Sequence, residues 1–120
     1  TIYHCHPADH DRAVSWISHL PVMVSASLIA ACANEPNPEV LQLAQQLASS
    51  GFRDTSRVGS GNPELGVMMA RYNRSELLRS LQQYRDRLDE ITQLIVREDW
   101  QALEKQLNST QLARPQFLRE

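Results

Sequence analysis

Between residues 7 and 108, apolar side chains recur every three or four positions, separated by short breaks rich in Asn, Pro, Gly and Ser. That spacing is helical, because positions i, i+3 and i+4 share one face of an α-helix. The sharpest case is Leu77, Leu81, Tyr84, Leu88, Ile91 and Ile95, whose steps of 4, 3, 4, 3 and 4 trace a coiled-coil seam. Leu78 and Leu94 widen the stripe, while Arg85, Asp86, Arg87, Asp89 and Glu90 keep other faces charged. The pattern predicts a long amphipathic helix that packs along its length against another helix, including one from a second subunit.

Residues 7–33 carry a different pattern. Pro7 suits a first helical position, and the run 20–33 is apolar on nearly all sides. A helix of that kind is expected at the centre of the structure. Pro21 removes the donor that would meet the Ile17 carbonyl, which predicts a kink just after Ser18-His19.

The breaks supply the helix boundaries. Asn37-Pro38 and Asn62-Pro63 each combine a cap with a proline start. Ser49-Ser50-Gly51 reads as a helix end with Gly51 in a left-handed cap, and Asn73 with Glu76 as a capping-box start. Trp100, Leu103 and Leu107 mark a last short helix, followed by a weak tail. Thr1-Ile2-Tyr3 is a β-favouring triplet with no partner in the chain, and reads as the end of a preceding domain. The expected organisation is all-α: residues 1–6 from a preceding domain, 7–108 the helical domain with its kinked central helix, and 109–120 the tail.

Composition changes this picture little. A chain of 120 residues makes one domain, and 42% hydrophobic with 22% charged residues is ordinary for a soluble protein. A net charge of -2 gives no electrostatic reason to expect nucleic acid or an acidic membrane surface. The run 20–33 is shorter than the ~20 residues of a membrane span. Cys5 and Cys32 make no disulfide framework, which favours a reducing, cytoplasmic setting. Arginine outnumbers lysine eleven to one, a bias toward planar forks that bind carboxylates or pair with acids.

Three segments invite chemistry. His4, Cys5, His6, His10 and Asp11 cluster, but no second ligand pair stands at zinc-like spacing, so no metal is expected. Ser18-His19 cannot form a catalytic dyad, since neighbours on a helix point ~100° apart; lining a ligand pocket is the alternative to a buried structural histidine. The segment 51–64 holds three of the four glycines together with Arg53, Arg57, Asp54 and Glu64. Its Gly-Ser-Gly does not follow a strand, so no nucleotide cradle is expected. Asp54 and Arg57 lie one helical turn apart, which fits either an exposed ion pair or an Asp54 that orients Arg57 toward a carboxylate.

Residues 10–21 (HDRAVSWISHLP) together with 49–57 (SSGFRDTSR) resemble the C-terminal domain of the prephenate and arogenate dehydrogenases. The wording SHLPVMVSASLI and GNPELGVMMARYN is closer to the arogenate-using branch. The resemblance implies a helical domain that dimerises and closes the substrate site, behind a Rossmann domain that binds NADP or NAD. The reaction it implies is oxidative decarboxylation of arogenate or prephenate in tyrosine biosynthesis. Arg57 matches the family's substrate-carboxylate arginine, Ser18, His19, Ser50 and Gly51 match positions facing the substrate, and Asp54 and Asp11 match acids at its mouth. No catalytic residue is expected within this chain, because the histidine that takes the hydroxyl proton belongs to the preceding domain. Val22 stands where prephenate-using members often carry His, and Gly66 where some place an aromatic residue. The alternatives are a ligand-free helical interaction module and a small helical mutase-like enzyme; Arg74, Arg85 and Arg97 fall on shifting faces, which disfavours the latter.

Overall fold

The computed structural model describes residues 4–118, so the strand-like reading of residues 1–3 lies outside it. Among the described residues every regular element is helical, in the order α1 (Pro7–Val14), a π-helical turn (Ser15–His19), α2 (Leu20–Ala33), α3 (Pro38–Leu47), α4 (Ser50–Ser56), a 3-10 turn (Arg57–Ser60), α5 (Pro63–Tyr72), α6 (Arg74–Val96), α7 (Trp100–Ala113) and a short 3-10 turn (Arg114–Gln116). The chain divides into two compact units, one ending at Leu81 and one beginning at Gln82, with α6 contributing to both.

In the first unit the expected proline kink takes a specific form. The helix is not broken: α1, the π turn and α2 run on as one helix of 27 residues, Pro7–Ala33. The register widens over Ser15–His19, where the Leu20 N–H reaches back to the Ser15 carbonyl, and it returns to α spacing at Pro21, which has no N–H to give. By length and apolar composition alone this helix could cross a membrane, whereas the run 20–33 by itself was too short.

Its apolar surface is only partly covered. Among the described residues, Leu20 and Leu77 are the buried hydrophobic side chains, and the fully buried positions are Ser15, Ser25 and Ser80. The helix expected at the centre is therefore half-exposed in the single chain. At Ser25 the small side chain fits a close approach, the Gly59 backbone coming within hydrogen-bond reach of its hydroxyl. Ser15 and Ser80 then satisfy their hydroxyls on carbonyls of their own helices, those of Arg12 and Leu77.

The helix starts at Pro38 and Pro63 are as expected. Asn37 Oδ1 accepts from the Glu39 and Val40 N–H groups, and Asn62 Oδ1 from that of Glu64. The segment after α3 departs from expectation. Gly51 is not a left-handed cap; it lies inside α4, and among the described residues no glycine has a positive φ. α3 ends instead at Ala48 in extended backbone, and residues 50–60 form helix and 3-10 turn rather than loop. Asn73 keeps the backbone part of its expected cap role, its carbonyl accepting the Leu77 N–H, but its side chain turns toward α1 instead of capping α6.

In the second unit no described residue is buried. α6 ends in a Schellman turn: the Asp99 N–H meets the Leu94 carbonyl at 2.9 Å and the Glu98 N–H meets that of Ile95 at 3.0 Å. Glu98 occupies the left-handed position usually taken by glycine, at φ 54°. Asp99 then caps α7 by accepting from the Ala102 N–H. That helix continues to Ala113, so the stretch after residue 108 is in part helical rather than a loose tail.

Candidate functional site

The π turn sets where Ser18 and His19 project. Both are half-buried, and α5 packs beside this turn. Asn73, at the junction of α5 and α6, donates from Nδ2 to the Asp11 carbonyl at 2.9 Å and lies 3.2 Å from His19 Nδ1. Arg12 Nε stands 3.4 Å from Glu76 Oε2, tying α1 to the start of α6. Glu76 Oε2 is shielded from solvent and the geometry to Arg12 falls short of a hydrogen bond, so the contact is an ion pair held by charge.

Arg57 opens the 3-10 turn after α4 and is exposed. That turn and α4 both pack on α2. The closest point is Gly59, whose N–H donates to Ser25 Oγ at 2.8 Å. A Cβ at Gly59 would lie 2.5 Å from the Ala26 nitrogen and 2.6 Å from Ser25 Oγ. Only glycine fits there, and its role is close approach rather than unusual backbone.

Beside this contact lies a groove of about 480 Å³, lined by Val22, Met23, Ala26, Val58, Gly59 and Gly66 among others. Val22 and Gly66, the two positions at which the resemblance implied other side chains, both line this groove.

The other expected site residues are placed less tightly. Ser50 and Gly51 lie exposed in the first turn of α4. Asp54 sits one turn before Arg57, but among the described residues no salt bridge joins them, so Asp54 does not hold the guanidinium here. Asp11 is exposed with its carboxylate 3.5 Å from His10 Nδ1. His4, Cys5, His6 and His10 are exposed, and among the described residues no group of three or more ligating side chains gathers.

Sequence reasoning did not find Ser25, Gly59 and Asn73 as the scaffold of this region. Ser25 could have been flagged as a polar residue inside an apolar run. Asn73 carried no signal, because its partners are 54 and 62 residues away.

Residues 6–109 match the family model for the prephenate dehydrogenase dimerization domain. The chain is 30% identical over 93 residues to the prephenate dehydrogenase of Bacillus subtilis (strain 168), covering 78% of this chain and 24% of that protein. It is 26% identical over 96 residues to the prephenate dehydrogenase of Lactococcus lactis, covering 80% and 27%. Among solved structures, that of Synechocystis arogenate dehydrogenase is 60% identical with a TM-score of 0.97, over 98% of this chain and 42% of that one. The prephenate dehydrogenase of A. aeolicus, solved with hydroxyphenyl propionate and NAD+, shares the fold at a TM-score of 0.87 and 23% identity, over 98% of this chain and 41% of that one. The chain spans about a quarter of the length of the curated relatives it matches.

Proposed function

The chain belongs to the prephenate dehydrogenase dimerization-domain family, and from that premise we propose that it joins two copies of an arogenate dehydrogenase and closes over the substrate. The observation that carries this reading is the clamp of the Arg57 turn onto α2 through Gly59 and Ser25, beside the groove that holds Val22. A guanidinium with no ion pair among the described residues, mounted on a turn clamped to α2, suits bidentate binding of a substrate carboxylate. Ser18 and His19, half-buried in the π turn, are assigned to the same site, and Ser50, Gly51, Asp54 and Asp11 to its mouth.

The reaction is oxidative decarboxylation that yields tyrosine. The likeness to the Synechocystis enzyme supports arogenate. So does Val22, which offers no hydrogen bond to the keto side chain of prephenate. A nucleotide would find little here: the Gly59 N–H is already committed to Ser25, and Gly59-Ser60-Gly61 forms a packed turn rather than an open cradle. We assign NADP or NAD, and with it the proton-accepting histidine, to a preceding nucleotide-binding domain, as the resemblance implies. Uncovered apolar surface on the Pro7–Ala33 helix and on α6 is assigned to a homodimer contact, and the free cysteines Cys5 and Cys32 fit the cytoplasm.

The test is steady-state kinetics of the full-length protein with each substrate and each cofactor. Higher kcat/KM for arogenate is expected. Preference for prephenate would overturn the branch assignment, and inactivity with both would overturn the enzyme reading.

A further inference from the structure

Asn73 carries information that its position in the sequence does not suggest. The Asp11 carbonyl can only accept a hydrogen bond, so the Asn73 atom 2.9 Å from it must be the NH₂ nitrogen. The reverse amide orientation would set two oxygens against each other. The same nitrogen lies 3.2 Å from His19 Nδ1. An amide nitrogen does not accept hydrogen bonds, so Nδ1 must be the acceptor and must carry no hydrogen. The two amide hydrogens are thereby both used, one on each partner. The neutral imidazole is left with its hydrogen on Nε2.

We propose that Asn73 is a positioning residue that fixes His19 as an Nε2–H donor, directed at an acceptor oxygen of the bound ligand. The inference rests on the proposed function for its ligand, a small carboxylate, but not for the tautomer. It also assigns His19 a negative role: with no lone pair on Nε2 and Nδ1 occupied, His19 is not the base of the reaction. The anchor on Asp11 matters because a carboxamide with a single partner could rotate, whereas one held by a backbone carbonyl presents the same face to His19. Asn73 thus couples the π turn to the α5–α6 junction through one side chain.

The test is long-range proton–nitrogen correlation on the full-length protein labelled at histidine nitrogen, with His19 assigned by loss of its signal in His19→Gln. The wild type is expected to show a protonated Nε2 and an unprotonated Nδ1; the opposite tautomer overturns the proposal. Asn73→Asp sets a carboxylate against Nδ1 and is expected to draw the hydrogen there, with KM for the carboxylate substrate rising by about tenfold or more. An unchanged tautomer in that variant also overturns the proposal. A moved tautomer with unchanged KM instead overturns the ligand role of His19 and leaves the positioning by Asn73 standing. Should Asn73→Asp fail to fold, His19 variants decide the donor role: Gln places an amide nitrogen near Nε2, Asn near Nδ1. His19→Gln is expected to keep a lower KM than His19→Asn, and the reverse order overturns the Nε2 assignment.

Discussion

The Gly59 N–H points at Ser25 Oγ from 2.8 Å, and at that point the turn bearing Arg57 meets the middle of α2. Val58 alone separates Arg57 from the contact. The position of its guanidinium is therefore governed by how closely a glycine and a serine can pack.

Gly59→Ala tests this directly. The added methyl would sit 2.5 Å from the Ala26 nitrogen, with backbone rather than a flexible side chain in its way. The turn must lift, at a cost of about 1–3 kcal/mol. Denaturant unfolding should show that loss, and KM should rise in parallel as Arg57 is displaced. Normal stability together with normal KM would show that the contact is looser than described. Ser25→Ala should cost about 1–3 kcal/mol through the orphaned Gly59 N–H, without the steric push.

Arg57→Ala in the full-length enzyme should raise KM by about 10- to 100-fold, the worth of a charged hydrogen-bonded pair, with a smaller effect on kcat. Arg57→Lys should recover little, because an ammonium cannot reproduce the planar fork. Asp54→Asn should change KM far less than Arg57→Ala, since no ion pair joins the two side chains. An Arg57→Ala enzyme with wild-type kinetics would remove the carboxylate role.

Val22 and Gly66 border one groove, so substrate choice should respond to side chains there. Val22→His adds a donor for a keto oxygen. It should raise kcat/KM for prephenate relative to arogenate by roughly tenfold. A ratio that stays fixed would place the side chain of the substrate elsewhere.

Much of this architecture was legible in the residues because its signals are local. The Asn-Pro pairs at 37–38 and 62–63 act within one turn, and the α6 seam repeats along one helix. Arg57 stood out by residue type and context. What escaped was set by tertiary contact. Gly59 looked like one turn glycine among several until α2 came within 3 Å of its missing Cβ. Asn73 had the local form of a cap, yet its amide found better partners on the other side of the unit. Gly51 was misread because a glycine after two serines can begin a helix as readily as end one, and the choice was made by the packing of α4 on α2.

The seam of α6 supplies the last prediction. Leu88 is 51% exposed and Ile95 is 49% exposed, on a helix whose second half belongs to a unit with no buried residue among those described. Such a unit has no core of its own, and most helical stability in proteins comes from packing of an apolar face. In a dimerization domain a second copy can supply apolar surface to it, and that copy presents the same seam. Leu88→Asp places a charge in that contact. It should convert the dimer to monomer in sedimentation and remove much of the helical circular dichroism together with it, because dimerisation and folding of the unit are one event. Gln83→Ala, off the seam on the same helix, should leave both unchanged. A Leu88→Asp protein that remained a fully helical dimer would show that α6 faces solvent, and that the two copies meet through another surface.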